Sequence, residues 1–225
     1  MIRVLSGGAV QTFVRPLAAS FSDDAVEVEF QPMGKLVNTL AAGYPADVVV
    51  VSEEIAARLK KERRIFDDAK PVARVGVGVG VRESAPPPDL STVEAFKRAL
   101  LAAKSVIYMD PQIGTSGKHV AEVLQRLGIS DEVNAKARLG QGGQVAEAVA
   151  SGQIELAIHQ ISEILPVKGV RFAGPLPSEL QKFTVYVAAR VLSSKAGGTA
   201  TRFIEHLTSP AARSRLARTG YTSPQ

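Results

Sequence analysis

Four times along this chain an apolar, β-branched run breaks into glycine, small or hydroxylated residues, and a helical pattern follows. The turns are Ser6-Gly7-Gly8-Ala9-Val10, Gln31-Pro32-Met33-Gly34-Lys35, Gly114-Thr115-Ser116-Gly117-Lys118 and Gly140-Gln141-Gly142-Gly143-Gln144. Repeated strand–turn–helix units restrict the chain to an α/β fold, because neighbouring parallel strands need a helical crossover. Each turn also presents unpaired backbone N–H groups and the positive end of a helix at one rim of a sheet. That combination holds an anion without metal or cofactor. Two turns fall in the first quarter of the chain and two after residue 110, which predicts two lobes with an anion captured between them.

Composition narrows the chemistry. The 225 residues are 45% hydrophobic but only 5% aromatic, enough for two cores of about 100 residues each. Cysteine is absent, and the three histidines, His119, His159 and His206, make no H-x-x-H spacing. Disulfides and a dedicated transition-metal site are therefore not expected. The net charge of +5 would steer small anions inward. The basic run Arg58–Arg64 is broken by Glu62 and lacks aromatic partners, so a nucleic-acid surface is not expected. Apolar stretches fall short of a membrane span. Met1-Ile-Arg-Val-Leu already reads as a strand. The expected compartment is the cytoplasm if Met1 is the native start, and the periplasm if a leader has been removed.

Strands are expected at Ile2–Leu5, Val26–Phe30, Asp47–Val51, Val72–Val81, Ser105–Met109, Ala135–Arg138, Leu156–His159, Val170–Phe172 and Phe183–Val191. Helices are expected at Val10–Ser20, Lys35–Ala42, Glu53–Lys61, Val93–Ala103, Lys118–Leu127, Val145–Ser151, Thr199–Leu207 and Pro210–Thr219. Val72–Val81 alternates valine with Gly76, Gly78 and Gly80, so one face is bare and open to close packing. Ser84-Ala-Pro86-Pro87-Pro88-Asp89 is the most linker-like segment. The first lobe is therefore drawn as 1–83 plus 185–225 and the second as 84–184.

No nucleophile–base–carboxylate set and no G-x-S-x-G elbow can be read from the sequence. Gly7-Gly8 lacks the dinucleotide-binding pattern, and Gly114–Lys118 lacks the P-loop spacing. Lys35 and Lys118 are expected at the starts of helices, an unfavourable place for a cation that a bound anion would offset. His159 and Gln160 end an apolar strand, where ligand contact and plain packing are equally open. His119 is expected to be exposed, His206 to be a surface residue, and Asp110 to close a turn before Pro111.

The order of these segments resembles the periplasmic substrate-binding proteins of ABC importers, in their molybdate-binding branch. Gly7-Gly8-Ala9-Val10 stands where that family has A-A-S-L. Gly43-Tyr44-Pro45-Ala46-Asp47-Val48 matches its G-[AE]-x-A-D-[VL], and Ser52-Glu53-Glu54 its S-x-E. Asp110–Lys118 resembles its D-P-x-x-x-P-[AS]-G-x-Y loop, Gly152–Ile158 its G-x-[DE]-A-G-I-[VA] strand, and Phe203–Arg213 its F-x-x-F-L-x-S-x-x-A-R tail. The resemblance spans nearly the whole chain. It implies a two-lobe, type II periplasmic-binding-protein-like α/β fold, hinged, with the ligand cleft between the lobes, no cofactor, and an ABC permease as partner.

The family's ligand groups carry over unevenly. Its oxyanion-binding serines fall on Ala9 and on Met33 or Pro32, its alanine amide on Ser116, its valine amide on Val145 and its tyrosine hydroxyl on Gln160. With both first-lobe hydroxyls replaced, a larger ligand carrying one or more carboxylates, or another oxyanion, is expected, held by Gly8, Ala9, Val10, Met33, Gly34, Lys35, Thr115, Ser116, Gly117, Lys118, Gln144, Val145, His159 and Gln160. Four or five charge-assisted hydrogen bonds, each worth roughly 1.5–3 kcal/mol, less the association cost, reach micromolar affinity, about −8 kcal/mol. Capture and release without chemistry is thus the expected function. A molybdate- or tungstate-binding protein is one alternative. The others are an enzyme acting on a small carboxylate or phosphate through Lys35, His159 and Asp110, and the effector-sensing half of a regulator.

Overall fold

The computed structural model describes residues 1–141 and 143–224. The chain divides into two units, Met1–Arg74 with Thr184–Gln225, and Val75–Phe183. Unit 1 contains β1 (Ile2–Gly7), α1 (Gln11–Ala19), β2 (Val26–Gln31), α2 (Met33–Ala41), β3 (Val48–Ser52), α3 (Glu53–Lys61) and β4 (Lys70–Val75). Unit 2 follows with β5 (Val77–Arg82), α4 (Val93–Ala102), β6 (Val106–Met109), α5 (Thr115–Leu127), α6 (Ser130–Asn134), β7 (Ala137–Gly140), α7 (Gln144–Ala150), β8 (Leu156–Gln160), α8 (Ile161–Ile164) and β9 (Val170–Pro175). The chain then returns to unit 1 as β10 (Thr184–Arg190), α9 (Gly197–Leu207) and α10 (Pro210–Leu216).

The sheets share one plan. Unit 1 runs β2-β1-β3-β10-β4 and unit 2 runs β7-β6-β8-β5-β9. In unit 1, β1 pairs in parallel with β2 and β3, and the returning β10 lies antiparallel to β3. In unit 2, β6 pairs in parallel with β7 and β8, and the entering β5 lies antiparallel to β8. Each sheet therefore has three parallel strands of its own, closed by a strand that arrives from the other unit. The parallel strands are continuous apolar runs, as burial of both faces demands: Val48–Val51 are fully inaccessible, as are Val106 and Ile107.

The expected strand Val72–Val81 is two strands. Gly76 separates β4, in the first sheet, from β5, in the second. The first crossing lies at Arg74/Val75 and the return at Phe183/Thr184. The Pro-rich stretch 84–89 is therefore a loop inside unit 2 and not the crossing. Backbone pairing, which composition does not report, decides the matter: Val77–Val81 bond along β8 and Gly78–Arg82 along β9. The bare face of β5 is filled closely, since a Cβ on Gly78 would lie 2.5 Å from Phe172 Cε2 and one on Gly80 3.0 Å from Ile164 Cγ2.

Local signals explain several helix ends. Ser52, Thr92 and Ser209 each accept an N–H bond from three residues on, at Ile55, Ala95 and Ala212, which is N-capping. Gly128 ends α5 in the left-handed conformation at φ 66°, where glycine carries no Cβ penalty. In unit 2, Phe96, Leu100, Val120, Val123 and Leu124 pack with Val106, Leu156 and Ile158 in one core.

Candidate functional site

In unit 1, β1 runs into a 3-10 turn, Gly8–Val10. Ala9 and Val10 turn their side chains into the core, so only the backbone of this turn is left for a ligand. The Tyr221 hydroxyl donates to the Ala9 carbonyl at 2.7 Å, tying the C-terminal segment to the turn. The second turn opens α2. The Leu36 N–H is bonded to the Pro32 carbonyl at 2.9 Å, so the amides of Met33, Gly34 and Lys35 precede the first intrahelical bond. Met33 is buried, and its Cε lies 2.0 Å from where a Cβ on Gly7 would stand. Its side chain is therefore core. Gly34 and Lys35 are exposed.

Unit 2 is built differently. The Asp110 carbonyl accepts from Ile113 and Gly114, and its Oδ1 accepts from the Gln112 N–H at 2.8 Å, closing a turn that delivers the chain to α5. Helix α5 starts at Thr115, and the Lys118 N–H bonds the Gly114 carbonyl. The Thr115, Ser116 and Gly117 amides are thus the free donors of this helix. A Cβ on Gly117 would stand 2.0 Å from the Met109 carbonyl oxygen. Only glycine lets the first turn of α5 lie directly on the end of β6.

Ser116 is 4% exposed and His159 1%. The Ser116 Oγ and His159 Nδ1 are 3.1 Å apart. On the other side of the ring, His159 Nε2 is 3.1 Å from Glu163 Oε2. That approach is off the N–H axis, and Nε2 makes no hydrogen bond. Serine, imidazole and carboxylate therefore form one line running from the first turn of α5, past the end of β8, to α8. Gln160 is also buried. Val145 is fully buried in α7 and Gln144 is exposed at its start. Gly143 precedes α7 at φ 83°, a conformation that favours glycine. Gly142 lies outside the described residues.

The structure thus joins Ser116 to His159 and places Thr115 and Gly117 beside them. Lys118 is exposed one step further into α5; Lys35 is exposed too, and both lysines are solvated. His119 is not the exposed residue expected. Its Nε2 lies 2.8 Å from the Leu180 carbonyl, and burial pushes its pKa down, with the Leu180 bond opposing. His206 packs on Phe21, with Nε2 3.1 Å from the Leu17 carbonyl.

Sequence reasoning missed Glu163. Its four-residue spacing from His159 was a visible signal, but the pair straddles a strand–helix boundary and the helix spans only four residues. Among the described residues, no group of three or more His, Cys, Asp or Glu is placed to hold a metal. Among them, too, no helix is long and apolar enough to cross a membrane.

A family model described as bacterial extracellular solute-binding protein matches residues 2–222. The chain belongs to that family. This solute-binding protein is 29% identical over 229 residues to an aconitate isomerase of a Pseudomonas species, covering 97% of this chain and 86% of that one. Its fold matches the Azotobacter vinelandii periplasmic molybdate-binding protein with a TM-score of 0.84 at 20% identity, over 100% of both chains. It matches the L-phospholactate-bound form of PEB3, a Campylobacter jejuni protein, with a TM-score of 0.75 at 13% identity, again over 100% of both. The fold is the two-lobe periplasmic-binding-protein fold of the molybdate-binding type.

Proposed function

We propose that this protein captures a small anion carrying two or more carboxylates, with the amides and side chains at the first turn of α5 in unit 2 as its contacts. The observation that carries the proposal is the first turn of α5. There three free amides stand beside the buried Ser116 hydroxyl, itself held by His159. Helix N-termini favour negative charge, and a carboxylate accepts several such donors at once. Unit 1 offers no hydroxyl at Ala9, Met33 or Pro32, the places where the resemblance puts the serines that hold a tetrahedral oxyanion. One relative points the same way: it is named for aconitate, a tricarboxylate.

Capture alone requires no chemistry on the ligand, and the family is named for binding. A permease of an ABC importer is the partner that such a role implies. An enzyme acting on the bound carboxylate is the second possibility, favoured by one observation, the Ser116–His159–Glu163 line.

A thermal-shift screen across molybdate, tungstate, sulfate, phosphate and di- and tricarboxylates tests the capture. A true ligand raises stability as RT ln(1 + [L]/Kd). Stabilisation by tricarboxylates is the expected result. Stabilisation by molybdate with no response to any carboxylate refutes it.

A further inference from the structure

We propose that the hollow between α1 and α10 in unit 1 is a second binding site, for a hydroxylated phosphate monoester of sugar-phosphate size. It shares no residue with the first turn of α5 and does not depend on the capture proposed above. Thr12, Phe13 and Pro16 of α1, with Ser214, Arg215, Arg218 and Thr219 of the C-terminal segment, line a volume of about 530 Å3. That falls within the roughly 300–1,000 Å3 of small-molecule sites. After Glu205 the sequence holds Arg213, Arg215 and Arg218 and no acidic residue. Arg58, Arg190 and Arg202 each pair with a carboxylate, whereas among the described residues the side chains of Arg215 and Arg218 pair with none. Positions three apart share one helix face, so two uncompensated guanidiniums line one hollow and repel each other. A cation at the end of α10 is favourable in itself, which accounts for one such charge but not for a pair in the same hollow.

The hydroxyls of the hollow decide what else the ligand carries. The Tyr221 hydroxyl gives its single proton to the Ala9 carbonyl at 2.7 Å. Thr12 Oγ1 must therefore donate in its own 2.8 Å bond to the Tyr221 oxygen. Ser214 Oγ donates to the Ala211 carbonyl at 2.8 Å, and Thr219 Oγ1 to the Arg215 and Leu216 carbonyls, both at 3.1 Å. All three hydroxyl protons are committed to the protein, and only lone pairs remain for a ligand. A molecule that fits thus brings an anionic group for the guanidiniums and hydroxyl donors for Thr12, Ser214 and Thr219. A phosphate dianion matches both positive charges with one group, and its free oxygens accept two guanidinium forks at once. A single carboxylate leaves one arginine uncompensated, and an ammonium donor is repelled by both. Pro16 and Phe13 supply apolar surface for the C–H face of a sugar ring.

The test is calorimetry on the intact protein at about 0.15 M salt, with glucose 6-phosphate, inorganic phosphate and glucose as probes. Saturable binding of glucose 6-phosphate, inorganic phosphate at least about tenfold weaker and no binding of glucose are the expected results. R215A and R218A should each weaken glucose 6-phosphate by about tenfold, a loss that already allows for the exposure of both side chains. T12V, which removes an acceptor, should weaken it by about threefold. R213A lies on the same helix but outside the hollow and should stay within about twofold. Glucose 6-phosphate that fails to bind at millimolar concentration overturns the proposal. So does an equal loss in R213A and R215A, which marks diffuse attraction to a basic surface. Inorganic phosphate that binds as tightly as the ester overturns it too, because the hydroxyl acceptors then select nothing.

Discussion

Units 1 and 2 lay out their strands identically, yet they present different chemistry at the strand ends. In unit 1 the turn after β1 buries both side chains, and the turn after β2 buries Met33. Only amides and the solvated Lys35 remain. In unit 2 the equivalent turn after β6 opens a helix of 13 residues whose second residue is a buried serine bonded to a histidine. One topology thus supports a backbone cradle in one unit and a buried side-chain line in the other. Sheet order positions the turns, and the residues in them decide what the turns do.

The sharpest break of this comparison is glycine substitution at the two turns. G117A sets a Cβ against the Met109 backbone, which cannot yield, and should cost about 3 kcal/mol. G7A clashes with the flexible end of the Met33 side chain and otherwise makes ordinary contact with Tyr186, and should cost about 1 kcal/mol. Urea denaturation of both variants checks the order, and an equal loss contradicts the packing described for α5.

Y221F comes next. It leaves the buried Ala9 carbonyl without the 2.7 Å bond from the Tyr221 hydroxyl and should cost about 1–2 kcal/mol. Because that bond holds the unit 1 turn, anion affinity should weaken along with the melting temperature. An unchanged affinity at lowered stability would detach this turn from binding.

A smaller effect separates the buried histidine of α5 from the solvated charges. The His119 pKa is held below its ordinary value by burial. Between the ordinary value near 6.5 and the lowered folded value, the unfolded chain binds more protons. Stability is therefore full above about pH 6.5 and falls as the pH drops through that window. H119Q retains a donor for Leu180 and should flatten the slope. An unchanged slope assigns it to other groups.

The smallest effects belong to the lysines. K35A and K118A should each weaken anion binding by about threefold at low salt and by less at high salt, because both side chains are exposed and therefore screened. Calorimetry at two ionic strengths checks this.

Much of the fold was legible because local signals agreed with it. Ser52 and two glutamates announce α3, and Val48–Val51 announce a buried strand; both lie where the pattern put them, to within a residue. The split at Gly76 was not legible. Period-two alternation continues across it, and only pairing with β8 and β9, strands more than 70 residues away, assigns Val77–Arg82 to another sheet. The short helices Ser130–Asn134 and Ile161–Ile164 are too brief to show a period.

At the site, Ser116 and His159 were each visible as residues at a turn and a strand end. Their contact was not, because it joins positions 43 residues apart. Glu163 was hidden by a boundary that no residue type marks.

Tricarballylate calorimetry on the wild type, S116A and K35A bears most directly on the difference between the two units. Micromolar binding to the wild type, a loss of at least tenfold in S116A and of only about threefold in K35A is the predicted result. Equal losses in the two variants, or a wild type that takes molybdate and ignores tricarballylate, would contradict it.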